Sequence, residues 1–202
     1  MNWLAHLYLY ERTTEFRIGS ILPDIVSTTR LTGISPEVMQ GIERHRDVDV
    51  FTDAHPVFKR SLRRFSAPLR IYAGILTDII YDHFLTVKWE DYSAVELKKF
   101  TAEVNSAFEV RVEGVPAKAY SVLDRISKTD LLGSYGTIQG VRTAFDGIRN
   151  LLSRPFDTDM SIDVLENKYE LFAADFDEYF PLLEQNFPIN CPWAGRSPKV
   201  AH

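Results

Sequence analysis

Between His45 and His83 the chain sets acids and imidazoles into segments that otherwise carry the apolar spacing of buried helices. The stretch reads GIERHRDVDVFTDAHPVFKR, then a basic connection, then AGILTDIIYDHFL. It holds three of the five histidines together with Asp49, Asp53, Asp78 and Asp82. Ionisable groups beside apolar positions cost free energy unless something pairs with them. His45, Asp49 and Asp53 stand at i, i+4 and i+8, which makes a stripe if one helix carries them. Asp78 and Asp82 repeat the i, i+4 spacing, and His83 follows directly. His6 and Asp24 lie on two earlier apolar segments, NWLAHLYL and GSILPDIV.

Imidazole nitrogens and carboxylate oxygens together suit Mn²⁺, Fe²⁺, Zn²⁺ or Mg²⁺. A divalent cation on such donors polarises a phosphoryl oxygen and activates water near neutral pH. Each residue also has a structural reading. His6 can be a packed histidine with a backbone partner, and Asp24 can cap a turn. Asp49 and Asp53 can pair with Arg44 or Arg46, and His55 before Pro56 can simply end a helix.

The flanking pattern is helical throughout. Apolar residues at 3, 4, 7, 8 and 10 predict a short helix carrying His6. Pro23 is expected to end or kink the next helix just before Asp24. Ser35-Pro36-Glu37 is a strong helix start: a capping serine, proline in the first turn, then an acid. That helix should run through Val38, Ile42, His45 and Asp49 toward Phe51 and break at His55-Pro56. VFKRSLRRF reads as a basic amphipathic turn or helix stopping near Pro68. Leu69 to Trp89, with Ile71, Ile75, Ile79, Ile80 and Phe84 at helical spacing, predicts one central buried helix.

In the second half SAVELKKFTAEVNSAF is helical, and AYSVLDRISKTDLL is helical to about Gly133. TIQGVRTAFDGIRNLLSR makes another helix closed by Pro155, and a long acidic helix should cover Ile162 to Gln185, bent at Pro181. No strand-type alternation stands out. The expectation is an all-α, single-domain, irregular bundle of about seven to nine helices over 1–187, followed by a loosely held tail over 188–202.

At 202 residues and 45% hydrophobic, the chain can bury one core. Its single cysteine, Cys191, excludes an intrachain disulfide and suits a reducing interior. The N-terminus lacks a basic leader, and no uncharged run reaches the roughly 18 residues of a membrane span, so a soluble cytoplasmic protein is expected. A net charge of -5 argues against a general nucleic-acid binder. The distribution of charge is uneven. Positions 41–70 carry seven bases (Arg44, Arg46, Lys59, Arg60, Arg63, Arg64, Arg70) against four acids, whereas 155–186 carry nine acids and only Lys168. A basic face near the histidines would attract an anionic substrate or acidic partner, although a merely solvated face fits as well. There is no GxSxG, P-loop or GxGxxG, and Cys191 in a proline-rich tail is poorly placed as a nucleophile.

NWLAHLYL, GSILPDIV, GIERHRDVDVFTDAHP, the basic RRF and AGILTDIIYDHFL, in this order, resemble the acyl carrier protein phosphodiesterases, a family placed among the HD-type metal-dependent phosphohydrolases. The resemblance covers the first ninety or so residues. It implies an HD-domain-like fold and hydrolysis of the phosphodiester between 4'-phosphopantetheine and a serine of holo-acyl carrier protein. The implied cofactor is a divalent metal, typically Mn²⁺. Carried over motif by motif, it points to His6, Asp24, His45, Asp82 and His83 as metal-holding residues, and to Asp24, His45, Arg46 and Asp78 as catalytic ones. Arg46 would offset developing phosphate charge. The chain departs from the usual His-Asp pair: Arg46 follows His45, and the second pair is reversed as Asp82-His83. Because acyl carrier protein is small, acidic and helical, Lys59, Arg60, Arg63, Arg64 and Arg70 are the expected docking residues. An HD-like hydrolase of nucleotides or other small phosphoesters, and a non-catalytic helical protein binding a metal or an acidic partner, remain as alternatives.

Overall fold

The computed structural model of the chain describes residues 3–9 and 13–188. Among these, every regular element is helical. In chain order they are α1 (Trp3–Tyr8), α2 (Thr14–Ile25), α3 (Pro36–Ala54), α4 (Pro56–Leu62), α5 (Ala73–Val87), α6 (Trp89–Tyr92), α7 (Leu97–Glu109), α8 (Ala117–Lys128), α9 (Leu131–Ser134), α10 (Ile138–Arg149), α11 (Thr158–Asn167) and α12 (Tyr169–Asn186). The all-α expectation therefore holds, and no helix among the described residues is long and apolar enough to cross a membrane. Cys191 and the tail beyond Pro188 lie outside the described residues.

Local chemistry accounts for the boundaries around the site. Thr13 caps α2, its hydroxyl accepting the Phe16 N–H at 3.3 Å, and Ser35 caps α3 through the Val38 N–H at 3.2 Å. Pro36 occupies the first helical turn, where its missing N–H costs nothing. Pro23 does not end α2 before Asp24, as its sequence position suggests. The helix runs on to Ile25, and the Val26 N–H still reaches the Leu22 carbonyl at 2.9 Å. Pro23 forfeits the bond its nitrogen would have given to the Gly19 carbonyl, yet the turn after it still closes, and Asp24 rides on that turn. His55 closes α3 and opens α4, its Nδ1 accepting the Val57 N–H at 3.3 Å.

Three expected helices are divided. Leu69–Tyr72 form a 3-10 turn before α5, and Ile71, counted with the core by spacing, is 77% exposed. The tighter 3-10 winding rotates it off the face that α5 buries. Asp130, with a left-handed φ of 46°, separates α8 from α9. The acidic C-terminal helix is two helices meeting at Lys168.

The crossing that positions the site is α2 against α3. A Cβ on Gly19 would fall 2.3 Å from the Val38 carbonyl oxygen, and one on Gly41 would fall 2.5 Å from that of Phe16. Only two glycines let these backbones approach so closely. The approach sets Ser20 and Asp24 opposite His45 and Asp49.

α12 is tied to α3 and α4 by polar contacts. Asp175, only 1% exposed, accepts from Arg60 Nε at 2.6 Å, Arg64 Nε at 2.7 Å and Ser61 Oγ at 2.6 Å. Arg60 also reaches Glu178 at 2.5 Å, and Thr52 and Tyr179 join their hydroxyls at 2.7 Å. Part of the basic stretch is thus neutralised by part of the acidic one.

A candidate metal centre at the crossing of three helices

α1 brings His6, α2 brings Asp24, and α3 brings His45 and Asp49 to one place. His6 Nε2 lies 3.3 Å from Asp49 Oδ1, and His45 Nε2 lies 3.0 Å from Asp49 Oδ2 and 3.5 Å from Asp24 Oδ1. The two imidazoles stack, with centroids 3.9 Å apart and planes 13° from parallel. Both rings are buried, whereas Asp24 and Asp49 are 40% and 38% exposed and form the mouth. Asp24 is held from its other oxygen by the Trp3 indole N–H at 3.0 Å.

His45 Nδ1 sits 2.6 Å from the Ser20 carbonyl oxygen, which can only accept. That contact fixes the proton on Nδ1 and turns Nε2 toward the carboxylates, the arrangement that orients a ligand imidazole in metal sites. Ionisation in the cluster is strongly coupled. Burial holds His6 down at about 4, the Asp49 contact notwithstanding. Burial also works against a charged His45, but Asp24 and Asp49 outweigh it and raise the ring to about 9. In return His45 keeps Asp24 below the usual carboxylate range, and His45 with His6 keeps Asp49 far below it. A cation taking Nε2 of His45 would displace that proton.

The donor set fits a divalent cation. One ligand atom each from His6, His45 and Asp49 lie within 4.8 Å of one another, and all are imidazole nitrogen or carboxylate oxygen. Asp78, on α5, stands in reach of their charges: burial pushes its carboxyl up to about 6, and Asp49 and Asp24 add to the effect. Arg46, one residue past His45 and exposed, bonds Thr28 Oγ1 at 2.5 Å.

Asp82 and His83 stand elsewhere. Asp82, fully buried, spends both oxygens on α1, accepting Leu4 N–H at 2.8 Å and Ala5 N–H at 3.0 Å. Burial raises its carboxyl to about 7 against the pull of those donors. His83 donates from Nδ1 to the Tyr135 carbonyl at 2.7 Å and accepts the Tyr169 hydroxyl on Nε2 at 2.9 Å. Both ring nitrogens are therefore engaged outside the cluster. Asp53 is exposed at the end of the α3 stripe. Of the expected docking residues, Arg60 and Arg64 are engaged by Asp175. Lys59, Arg63 and Arg70 are exposed, with Lys59 Nζ on the Ala54 carbonyl at 3.0 Å and Arg70 3.5 Å from that of Phe65. Asp49 is the residue that sequence reasoning undervalued; its i+4 spacing from His45 was the available signal.

Fold and site together define an all-helical protein with a buried pair of imidazoles facing carboxylates, the donor chemistry of a divalent-cation centre. The chain belongs to the acyl carrier protein phosphodiesterase family, whose pattern matches residues 1–183. The acyl carrier protein phosphodiesterase of Photorhabdus laumondii subsp. laumondii is 29% identical over 184 residues, covering 91% of this chain and 93% of the relative. Those of Salmonella dublin and Salmonella agona are 27% identical over 188 residues, covering 93% of this chain and 92% of each relative. No solved structure matches the chain. The similarity extends well past the first ninety residues, into α12.

Proposed function

We propose that this chain hydrolyses the phosphodiester joining 4'-phosphopantetheine to a serine of holo-acyl carrier protein, with a divalent cation, Mn²⁺ foremost, held by His6, His45 and Asp49 beside Asp24. The observation that carries the reading is the convergence of two buried imidazoles on one carboxylate in a chain of this family. Bound there, the cation supplies Lewis-acid polarisation of a phosphoryl oxygen and activates water for attack.

The chain's own residues supply the rest. Asp24 and Asp49 line the mouth and orient what enters. Asp78, raised to about 6 and so mostly ionised near neutral pH, is suited to take a proton from the attacking water. Arg46, exposed beside His45 in sequence, offsets charge as it builds on the phosphate. Water adds to phosphorus, the bond from phosphorus to the serine oxygen breaks, and that oxygen takes the proton. The products are the apo-protein and 4'-phosphopantetheine. Lys59, Arg63 and Arg70 offer positive charge to an acidic partner, an attraction that salt should weaken. We place the chain with the HD-type phosphohydrolases on donor chemistry, its His45 and Asp49 one helical turn apart in place of an adjacent pair. A cytoplasmic setting accords with its single cysteine.

Incubating the protein with holo-acyl carrier protein and Mn²⁺, then weighing the carrier by mass spectrometry, tests this. Loss of the phosphopantetheine mass, stopped by a chelator and by His45→Ala, is the expected result. An unchanged carrier alongside hydrolysis of small phosphodiesters would shift the assignment to a small-phosphoester hydrolase.

A further inference from the structure

α1 is only six residues long, and an isolated helix of that length does not hold itself together. Its first N–H groups have no partner within the helix. Asp82 supplies one from 78 positions away, taking the Leu4 and Ala5 N–H groups on separate oxygens in a site closed to solvent. The far end is held as well: the Tyr8 hydroxyl lies 2.5 Å from Glu184 Oε1 and 2.9 Å from the Tyr92 carbonyl oxygen. His6 sits between these two anchors, stacked on His45.

We propose that Asp82 is a positioning residue: by capping α1 from α5 it fixes the His6 imidazole against His45 and Asp49, and so sets the affinity of the cluster for a divalent cation. With both oxygens turned to α1, Asp82 acts on the cluster through His6. Asparagine at 82 keeps the shape but leaves one accepting oxygen for two donors, so α1 loses one of its two N-terminal bonds. The proposal rests on reading the His6–His45–Asp49 cluster as a cation site.

A double-mutant cycle on the full chain tests it, with Mn²⁺ as the probe and titration calorimetry as the readout. Asp82→Asn should weaken Mn²⁺ binding about 10- to 100-fold, the range seen when groups orienting a ligand are removed. In a His6→Ala background the same change should add no more than about a twofold loss, because the residue through which it acts is gone. Two results overturn the proposal. One is a full further loss in the His6→Ala background, which would mean that Asp82 acts independently of His6. The other is wild-type affinity in Asp82→Asn with only a lowered melting temperature, which would mean a purely structural role. Should Asp82→Asn fail to fold, Asp82→Glu, which keeps both accepting oxygens but sets them one methylene further out, runs the same cycle. A wild-type chain that binds no Mn²⁺ removes the cation reading and this proposal with it; binding equal in wild type and variant removes the proposal alone.

Discussion

His6 and His45 stack 3.9 Å apart while their Nε2 atoms address different oxygens of Asp49. Two cationic rings would repel in that arrangement, and the structure avoids the conflict. Burial keeps His6 neutral near pH 7, while Asp24 and Asp49 stabilise the charge on His45. The carboxylate between the rings is thus the hinge of the cluster. Asp49→Ala should cut hydrolysis of holo-acyl carrier protein by at least about 100-fold, the scale of losing a group that acts directly on the reacting centre. Asp53→Ala, one turn further along α3 and exposed, should leave the rate within about twofold, as surface changes do. Steady-state rates for the two variants decide the matter; equal losses would mean that the stripe acts as a whole.

The α2–α3 crossing should tolerate no side chain. Gly41→Ala would put a methyl group 2.5 Å from the Phe16 carbonyl oxygen, and overpacking of this kind costs about 1–3 kcal/mol or more. Gly147→Ala on α10, where nothing lies within 4 Å of the added carbon, should instead stabilise by about 0.5–1 kcal/mol. Urea unfolding of the pair measures both. Equal midpoints would contradict the close approach of the two backbones.

Asp175 is the buried acceptor that ties α12 to α4. Asp175→Ala leaves Arg64, 15% exposed, and the buried Ser61 hydroxyl without it, and breaking such a pair from one side costs about 3–5 kcal/mol. Arg60→Ala should cost far less, since that side chain is 45% exposed. Thermal melts order the two variants, and a larger loss for Arg60→Ala would refute this arrangement.

His83 gives stability a pH dependence of known sign. Burial holds its ring below the ordinary 6.5, so the unfolded chain takes up a proton that the folded chain resists. Its contribution is present above 6.5 and is lost as pH falls below that value. His83→Gln should flatten the fall in unfolding free energy between pH 7 and 5, measured by denaturant titration at each pH. An unchanged slope would mean that His83 takes its proton in the folded state as readily as in the unfolded chain.

The sequence revealed the helices with strong ends and left the directions of side chains hidden. Ser35, Pro36 and His55-Pro56 mark α3 because capping and proline geometry are local. Pro23 stays inside α2 because close packing against α3 outweighs the one helical bond it forfeits, and nothing beside Lys168 announces a break. His45 and His83 look alike in sequence, each near an aspartate in an apolar helix. Only packing shows that Asp82 turns to α1 and His83 toward Tyr135 and Tyr169. The basic and acidic runs were each legible, but the pairing of Arg60 and Arg64 with Asp175 depends on contacts more than a hundred residues apart.

The proposed chemistry requires His6, His45 and Asp49 to hold a divalent cation. Crystals grown with Mn²⁺ and measured for its anomalous scattering test it most directly. A peak is expected within bonding distance of Nε2 of both imidazoles and of the Asp49 carboxylate. A peak beside Asp82 and His83, or none in crystals of protein that hydrolyses its substrate, would contradict it.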